Sequence, residues 1–523
     1  MLSLVSDLLT VKENHHDARP CVVHGPRVRT YGELHEDVRK LAGALVVAGV
    51  RPGDRVALHL EKSIEEVTAI MAIPMAGAIV VNVNALLKAR QVRHILADSG
   101  AQVLVTSYSR LKTLGQELGA VDRLRTVIAC GHRVALGEVV PETIRVVDMS
   151  SAVAAARGSG QVPRIDRDVA AILYTSGSTG LPKGVVLSHR NLVAGAESVA
   201  SYLESTSDDR ILSILPFSFD YGLNQLTTSL LVGATIVLKA HLNAADTLRT
   251  LQSERITGLA GIPTLWSQLL QADWEGINLS ALRYITNSGG RFPEDLVREF
   301  RRRAPHTRVF LMYGLTEAFR STYLDPDQVD MRPTSIGKAI PNAEILVVNE
   351  QGQPCRPNEV GELIHRGAHV ALGYWNDPAL TAERFRRSPA QEQGLPIDEI
   401  VVFSGDLVRR DEEGFLYFVG RKDHMIKTSG FRVSPTEVEE YFYNTGLVQD
   451  AVAWGVVDPV LGERINVAVT LRTGASADGD TLLAMVSRHM PSFMVPKQVH
   501  VMDSLPKTSS GKIDRPSVCA AAV

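Results

Sequence analysis

The stretch Ala170–His189, AAILYTSGSTGLPKGVVLSH, constrains this chain more than any other. Ala171, Ile172, Leu173 and Tyr174, with helical patterns on both sides, read as a buried strand that empties into Thr175, Ser176, Gly177, Ser178, Thr179 and Gly180. Glycine lets a backbone fold closely around an anion, and hydroxyl and amide donors can then point inward. Lys183 adds positive charge just past the Leu181-Pro182 turn. By composition the segment is a phosphate cradle, and by composition it is equally a polar hairpin loop. A Walker A loop is excluded, because that spacing needs Gly before the Lys and Ser or Thr after it, whereas Pro182 and Gly184 flank Lys183.

At 523 residues the chain exceeds one typical core, so more than one domain is expected. Charged residues make up 22% and the net charge is −3, which predicts no basic face and no nucleic-acid partner. Cys21, Cys130, Cys355 and Cys519 lie far apart and form no C-x-x-C pair, which argues against a zinc site or a disulfide framework and suits a reducing cytoplasm. The opening MLSLVSDLLTVKENHH lacks a basic region followed by a long apolar core, and no segment approaches the roughly 18 apolar residues of a membrane span. Neither secretion nor membrane insertion is expected.

Along the chain, helical and strand patterns alternate. Thr30 with Glu33 forms a capping-box signature before a helix, Ile64–Met75 reads as a second helix, and Ala78–Val83 as a strand. Residues 151–166, small and aperiodic, read as a loop. The alternation predicts an α/β fold with a largely parallel sheet. From Thr334 to Phe418 the pattern changes to short alternating strands, a β-rich subdomain, and the segment from about Asp423 holds enough helix and strand to fold on its own.

The string Thr175 to Gly184 resembles the signature loop of the adenylate-forming superfamily of acyl-CoA synthetases, luciferases and nonribosomal-peptide adenylation domains. Further motifs of that family follow in order: Tyr313-Gly314-Leu315-Thr316-Glu317, Ser404-Gly405-Asp406, Gly420-Arg421-Lys422-Asp423, Lys427-Thr428-Ser429-Gly430 and Leu505-Pro506-Lys507-Thr508-Ser509-Ser510-Gly511-Lys512. The resemblance spans essentially the whole chain. It implies a large core over residues 1–422 and a small mobile α+β domain over residues 423–523. It also implies ATP and Mg²⁺ as cofactors, and formation of an acyl adenylate with loss of pyrophosphate.

That chemistry brings one anion up to another, so catalysis rests on positioning and on cations. By resemblance, the loop from Thr175 with Lys183 wraps the leaving phosphates, Glu317 holds Mg²⁺, Asp406 binds both ribose hydroxyls, Arg421 supports the ribose or phosphate, Tyr313 stacks on adenine, and Gly314 and Thr316 belong to the same nucleotide site. Lys512 bridges the substrate carboxylate and the α-phosphate. Asp423 matches the hinge about which the C-terminal domain swings between half-reactions, removing Lys512 and opening the site to a thiol.

Ile214–Gln225, ILPFSFDYGLNQ, is the stretch that bears on the acid. Asp220 in this apolar setting needs a partner. One reading makes it a cap for a helix starting near Tyr221. By resemblance, it instead matches the aspartate that binds the amino group in amino-acid-activating relatives. Positions matching Leu223, Ser288, Gly289, Phe319 and Arg320 form the pocket in free-standing ligases that load β-amino acids onto a carrier protein for macrolactam antibiotics. Phe319 stands where relatives selecting acidic side chains use a cation, which implies an apolar side chain on the substrate; packing in the core is the other reading of Phe319. The expected acceptor is the phosphopantetheine thiol of an acyl or peptidyl carrier protein. The alternative is an acyl-CoA synthetase acting on a non-amino acid, with coenzyme A as the thiol.

Overall fold

The Thr30 hydroxyl accepts a hydrogen bond from the Glu33 N–H at 3.2 Å, and the Glu33 carboxylate accepts one from the Thr30 N–H at 2.9 Å. This reciprocal cap starts the helix Tyr31–Val47, which buries Leu34, Val38, Leu41 and Leu45 along one face. The computed structural model describes residues 2–10, 17–136, 139–156, 160–175, 182–240, 243–428, 431–458, 461–490, 494–508 and 511–522. Helix Ile64–Met75 falls where its periodicity predicts, capped by Ser63. Residues 151–155 of the stretch read as a loop belong to the helix Met149–Ala155: Asp148 caps it, and Met149 is its one buried residue, so little apolar periodicity marks it.

Among the described residues the strands form three sheets. An eight-stranded sheet runs in the order Gly373–Tyr374, Lys183–Ser188, Val169–Thr175, Ile79–Asn82, Arg55–His59, Val103–Ser107, Thr126–Cys130, Arg145–Asp148. Its strands from Val169–Thr175 onward are parallel, whereas Lys183–Ser188 returns antiparallel, with Thr175 opposite Lys183. The glycine-rich segment therefore joins two paired strands. Ser176, Gly177, Ser178, Thr179 and Gly180 themselves lie outside the described residues.

The second sheet has fourteen strands. One half is mainly parallel and contains Arg210–Ser213, Gly258–Gly261, Tyr284–Asn287 and Arg308–Tyr313 side by side. Beyond Arg308–Tyr313 the direction alternates through Thr322–Leu324, Ser335–Ala339, Leu416–Arg421, Ile400–Arg410, Val360–Gly367 and Ala343–Val348. Such a parallel-to-antiparallel change leaves strand ends facing a common crevice, where ligands of α/β sheets bind.

The third sheet, five-stranded, is built from Ile426–Thr428, Phe431–Val433, Val448–Asp458, Gly462–Leu471 and Gln498–Val501. Val438 and Phe442 of helix Pro435–Tyr443 and Leu482 and Val486 of helix Gly479–Ser487 pack on Val467 and Val469, giving this smaller C-terminal domain a core separate from that of the large N-terminal domain. The two meet through ion pairs: Arg291 with Glu440, and Arg472 with Asp295 at 2.6 Å. The four cysteines are free, and no described helix is long and apolar enough to cross a membrane.

Candidate active site

The site forms where the strands Tyr284–Asn287 and Arg308–Tyr313 end. Past the first, the Asn287 amide donates to the Gly290 carbonyl at 2.9 Å and accepts from the Trp266 indole N–H at 3.0 Å, closing a turn that carries Ser288 and Gly289. Gly289 has φ +78°, and a Cβ there would lie 2.9 Å from Lys512 Cε. Only a glycine leaves room for the lysine at this point. Lys512 Nζ sits 4.8 Å from the centre of the Phe219 ring. Its loop is a tight turn in which Thr508 N–H donates to the Lys512 carbonyl at 2.7 Å and Gly511 N–H donates to the Thr508 carbonyl at 2.9 Å. Burial pushes the Lys512 ammonium below the usual lysine range, and the Asp220 carboxylate is the main influence opposing it.

Asp220 does not cap a helix that starts at Tyr221. The helix Asp220–Val232 begins with Asp220 itself, and Phe219, in the cap position, offers no side-chain hydrogen bond. Asp220 is 4% exposed and faces a partner that sequence reasoning did not pair with it: Arg320 Nη2 lies 3.7 Å from its carboxylate. The Arg320 guanidinium also covers the Tyr221 ring at 4.5 Å, and Nε and Nη2 have no hydrogen-bond partner. Gly314 gives Arg320 passage, since a Cβ there would be 3.4 Å from Nη1. Leu223 and Phe319 belong to the large apolar core, with the Phe319 ring packed on Gly195. Phe319 has φ +54°, a conformation that costs a non-glycine residue energy and turns the chain sharply between Glu317 and Arg320.

At the nucleotide end, the Tyr313 hydroxyl donates to Asp406 Oδ2 at 2.5 Å while its ring leans on Phe418. Asp406 and Arg421 are direct neighbours across antiparallel strands, with Arg421 Nε 3.4 Å from Oδ1. Oδ1 is buried and accepts no hydrogen bond, so it fits a hydroxyl donor such as that of a ribose. Burial raises the Asp406 carboxyl above its ordinary range, with Arg421 opposing.

Thr316 is buried and Glu317 sits beside it in the turn Thr316–Ala318. The Tyr374 hydroxyl donates to Glu317 Oε1 at 2.5 Å, and the Tyr374 ring lies 6.0 Å from Lys183 Nζ. Tyr374 thus brings Glu317 to the base of the glycine-rich segment, beside Thr175 and Lys183. It was missed because its strand, Gly373–Tyr374, is too short to show a period. A lone hard-oxygen carboxylate suits Mg²⁺ where phosphate oxygens complete the shell; among the described residues no group of three or more His, Cys, Asp or Glu side chains could hold a metal ion by itself. Asp423 lies in the short turn Lys422–His424, between the last strand of the large sheet and the C-terminal domain.

A lysine docked from a second domain against Gly289, near a buried carboxylate with one oxygen free for a hydroxyl donor, is an arrangement able to hold an acid and a nucleotide together. The chain belongs to the AMP-binding enzyme family: the family's main region matches residues 9–375 and its C-terminal domain residues 437–512. Among its relatives, a feruloyl-CoA synthase from Amycolatopsis sp. is 32% identical, with 94% of each chain covered. A component of the linear gramicidin synthase of Brevibacillus parabrevis is 31% identical over 93% of this chain and 6% of its own. The crystal structure of the anthranilate CoA ligase AuaEII with anthranoyl-AMP shares the fold, with a TM-score of 0.88 at 24% identity, over 99% of this chain and 97% of that one. The enzyme is accordingly an AMP-forming acid–thiol ligase that uses ATP.

Proposed function

We propose that the chain activates an amino acid, a β-amino acid with an apolar side chain, as its acyl adenylate and then passes it to the phosphopantetheine thiol of a carrier protein. The observation that carries this reading is Asp220, a nearly inaccessible carboxylate close to Lys512 that serves no helix cap. In this reading the substrate carboxylate meets Lys512 while its ammonium meets Asp220. A carboxylate oxygen attacks the α-phosphorus of ATP, and the bond to the bridging oxygen of pyrophosphate breaks. The segment from Thr175 with Lys183 neutralises the leaving phosphates, Asp406 and Arg421 hold the ribose, and Tyr313 borders the adenine. Glu317 is the residue that would hold Mg²⁺, which neutralises phosphate charge when bound. The domain boundary falls at residues 422–423, and rotation there withdraws Lys512 from Gly289 before the thiol attacks the adenylate carbonyl, breaking its bond to the phosphate oxygen and releasing AMP.

A second reading is favoured by Arg320, which already gives Asp220 a counter-charge. On that reading the acid carries no amine, and coenzyme A is the thiol. Acid-dependent ATP–pyrophosphate exchange over matched α-amino, β-amino and unsubstituted acids separates the two. Exchange confined to β-amino acids is the expected result; exchange favouring unsubstituted acids hands the function to the CoA reading.

A further inference from the structure

Asp406 reaches its place because the sheet is interrupted there. Glu362 pairs with Leu407 and Ile364 with Phe403, so Ser404, Gly405 and Asp406 all stand opposite Leu363. Such a bulge frees backbone donors from the ladder, and each needs a new acceptor. Asp406 N–H donates to the Ser404 hydroxyl at 3.0 Å, which donates in turn to the Leu363 carbonyl at 2.6 Å. Gly405 takes φ +73°, and the space a side chain would occupy is filled by the Arg384 guanidinium. Gly405 N–H donates to Glu362 Oε1 at 3.1 Å in a buried setting. The other oxygen of the same carboxylate, Oε2, accepts from Lys422 Nζ at 3.2 Å.

We propose that Glu362 is a positioning residue whose carboxylate holds the bulge presenting Asp406 and ties that bulge to Lys422 in the segment joining the two domains. One carboxylate touches the backbone that aims the ribose ligand and the side chain at the start of the interdomain turn. Rotation of the C-terminal domain at the 422–423 boundary turns the backbone directly beside Lys422 and so draws its counter-charge away from the group that braces Asp406. The grip on the nucleotide is thereby linked to domain position, firm when Lys422 meets Glu362 and looser when it leaves. This inference rests on the reading of Asp406 as the ribose ligand.

The test compares ATP with 2′-deoxy-ATP and 3′-deoxy-ATP in pyrophosphate exchange, using whichever acid the wild-type enzyme accepts. Glu362→Ala should raise the KM for ATP about tenfold or more, as expected for a lost charged hydrogen bond, and should collapse the preference for the ribose hydroxyls. Glu362→Gln, which keeps an acceptor for Gly405, should retain that preference. Lys422→Met should raise the KM a few-fold in the wild type, roughly what an exposed ion pair supplies, and add nothing in the Glu362→Gln background. If Asp406→Ala abolishes the ribose preference while Glu362→Ala leaves it intact, the role of Glu362 is overturned. If Asp406→Ala itself leaves the preference unchanged, the ribose reading fails first. Should Glu362→Ala not fold, the non-additivity of Glu362→Gln with Lys422→Met decides alone, and strict additivity sinks the proposal.

Discussion

The Arg320 guanidinium stands 3.7 Å from the Asp220 carboxylate, and the two side chains are 3% and 4% exposed. At that distance the pair is electrostatic and leaves hydrogen-bonding capacity on Arg320. It also lies close enough to Lys512 for Asp220 to stabilise both cations. One carboxylate between two buried cations can accept an ammonium only by sharing its charge further.

Asp220→Ala should therefore weaken an amino-acid substrate by about 2 to 4 kcal/mol in KM, the effect of losing a desolvated charge pair. The comparison that matters is between amino acids and their desamino counterparts. An unchanged preference between them would leave Asp220 as the counter-ion of Arg320 alone.

Gly289→Val and Lys512→Ala should produce the same selective defect. A side chain at position 289 meets Lys512 Cε at 2.9 Å, and the φ of +78° strains any replacement. Adenylate formation should fall at least about a hundredfold in both variants, the order lost when a charge-stabilising donor is removed. Thioester formation from a supplied acyl adenylate should persist. Loss of both half-reactions in Gly289→Val, with the fold intact, argues that the turn does more than admit the lysine.

The protonated form of Lys512 is the one that meets an anion, and burial lowers its ammonium below the ordinary lysine range. Adenylation should thus decline on the alkaline side as pH rises through that lowered value. Removing the opposing charge with Asp220→Asn should move this limb to still lower pH. A limb that does not move shows that Asp220 does not tune Lys512.

Buried histidines predict how stability responds to acid. Burial pushes His365 down to about 3 and His369 down to about 4, from an ordinary value of 6.5. His59 and His189 fall to about 4 for the same leading reason. The unfolded chain binds protons that these folded sites refuse, so their stabilisation is complete above pH 6.5 and is lost as the pH falls toward their folded values. The melting temperature should drop through this window, and a His365→Asn, His369→Gln double variant should flatten the dependence. An equal slope in that variant assigns the acid sensitivity to other groups.

Much of the architecture is legible in the sequence because local chemistry and tertiary fold agree there. Thr30 and Glu33 announce their helix, and the apolar run before Thr175 becomes a strand. Residues 151–155 mislead because a short helix, Met149–Ala155, with one buried side chain leaves no period to read. In the site, Asp220 and Arg320 are each recognisable as candidates, but their pairing joins the first residue of the helix Asp220–Val232 to the chain just past the turn Thr316–Ala318, two segments far apart in sequence. Glu362 and Tyr374 are less visible still. Glu362 acts through a bulge, a mismatch between two strands that neither strand shows on its own. Tyr374 acts from a strand of two residues, whose place is set by its partner Lys183–Ser188.

The contacts that seat the small domain on the large one in this arrangement include Arg291 with Glu440 and Arg472 with Asp295, pairs whose side chains are about one-third to one-half exposed. Pairs this open to water weaken with ionic strength, while the apolar core of the small domain does not. Dissolved salt should therefore loosen the seat of the small domain on the large one, the arrangement that brings Lys512 against Gly289, before it disturbs the fold of either.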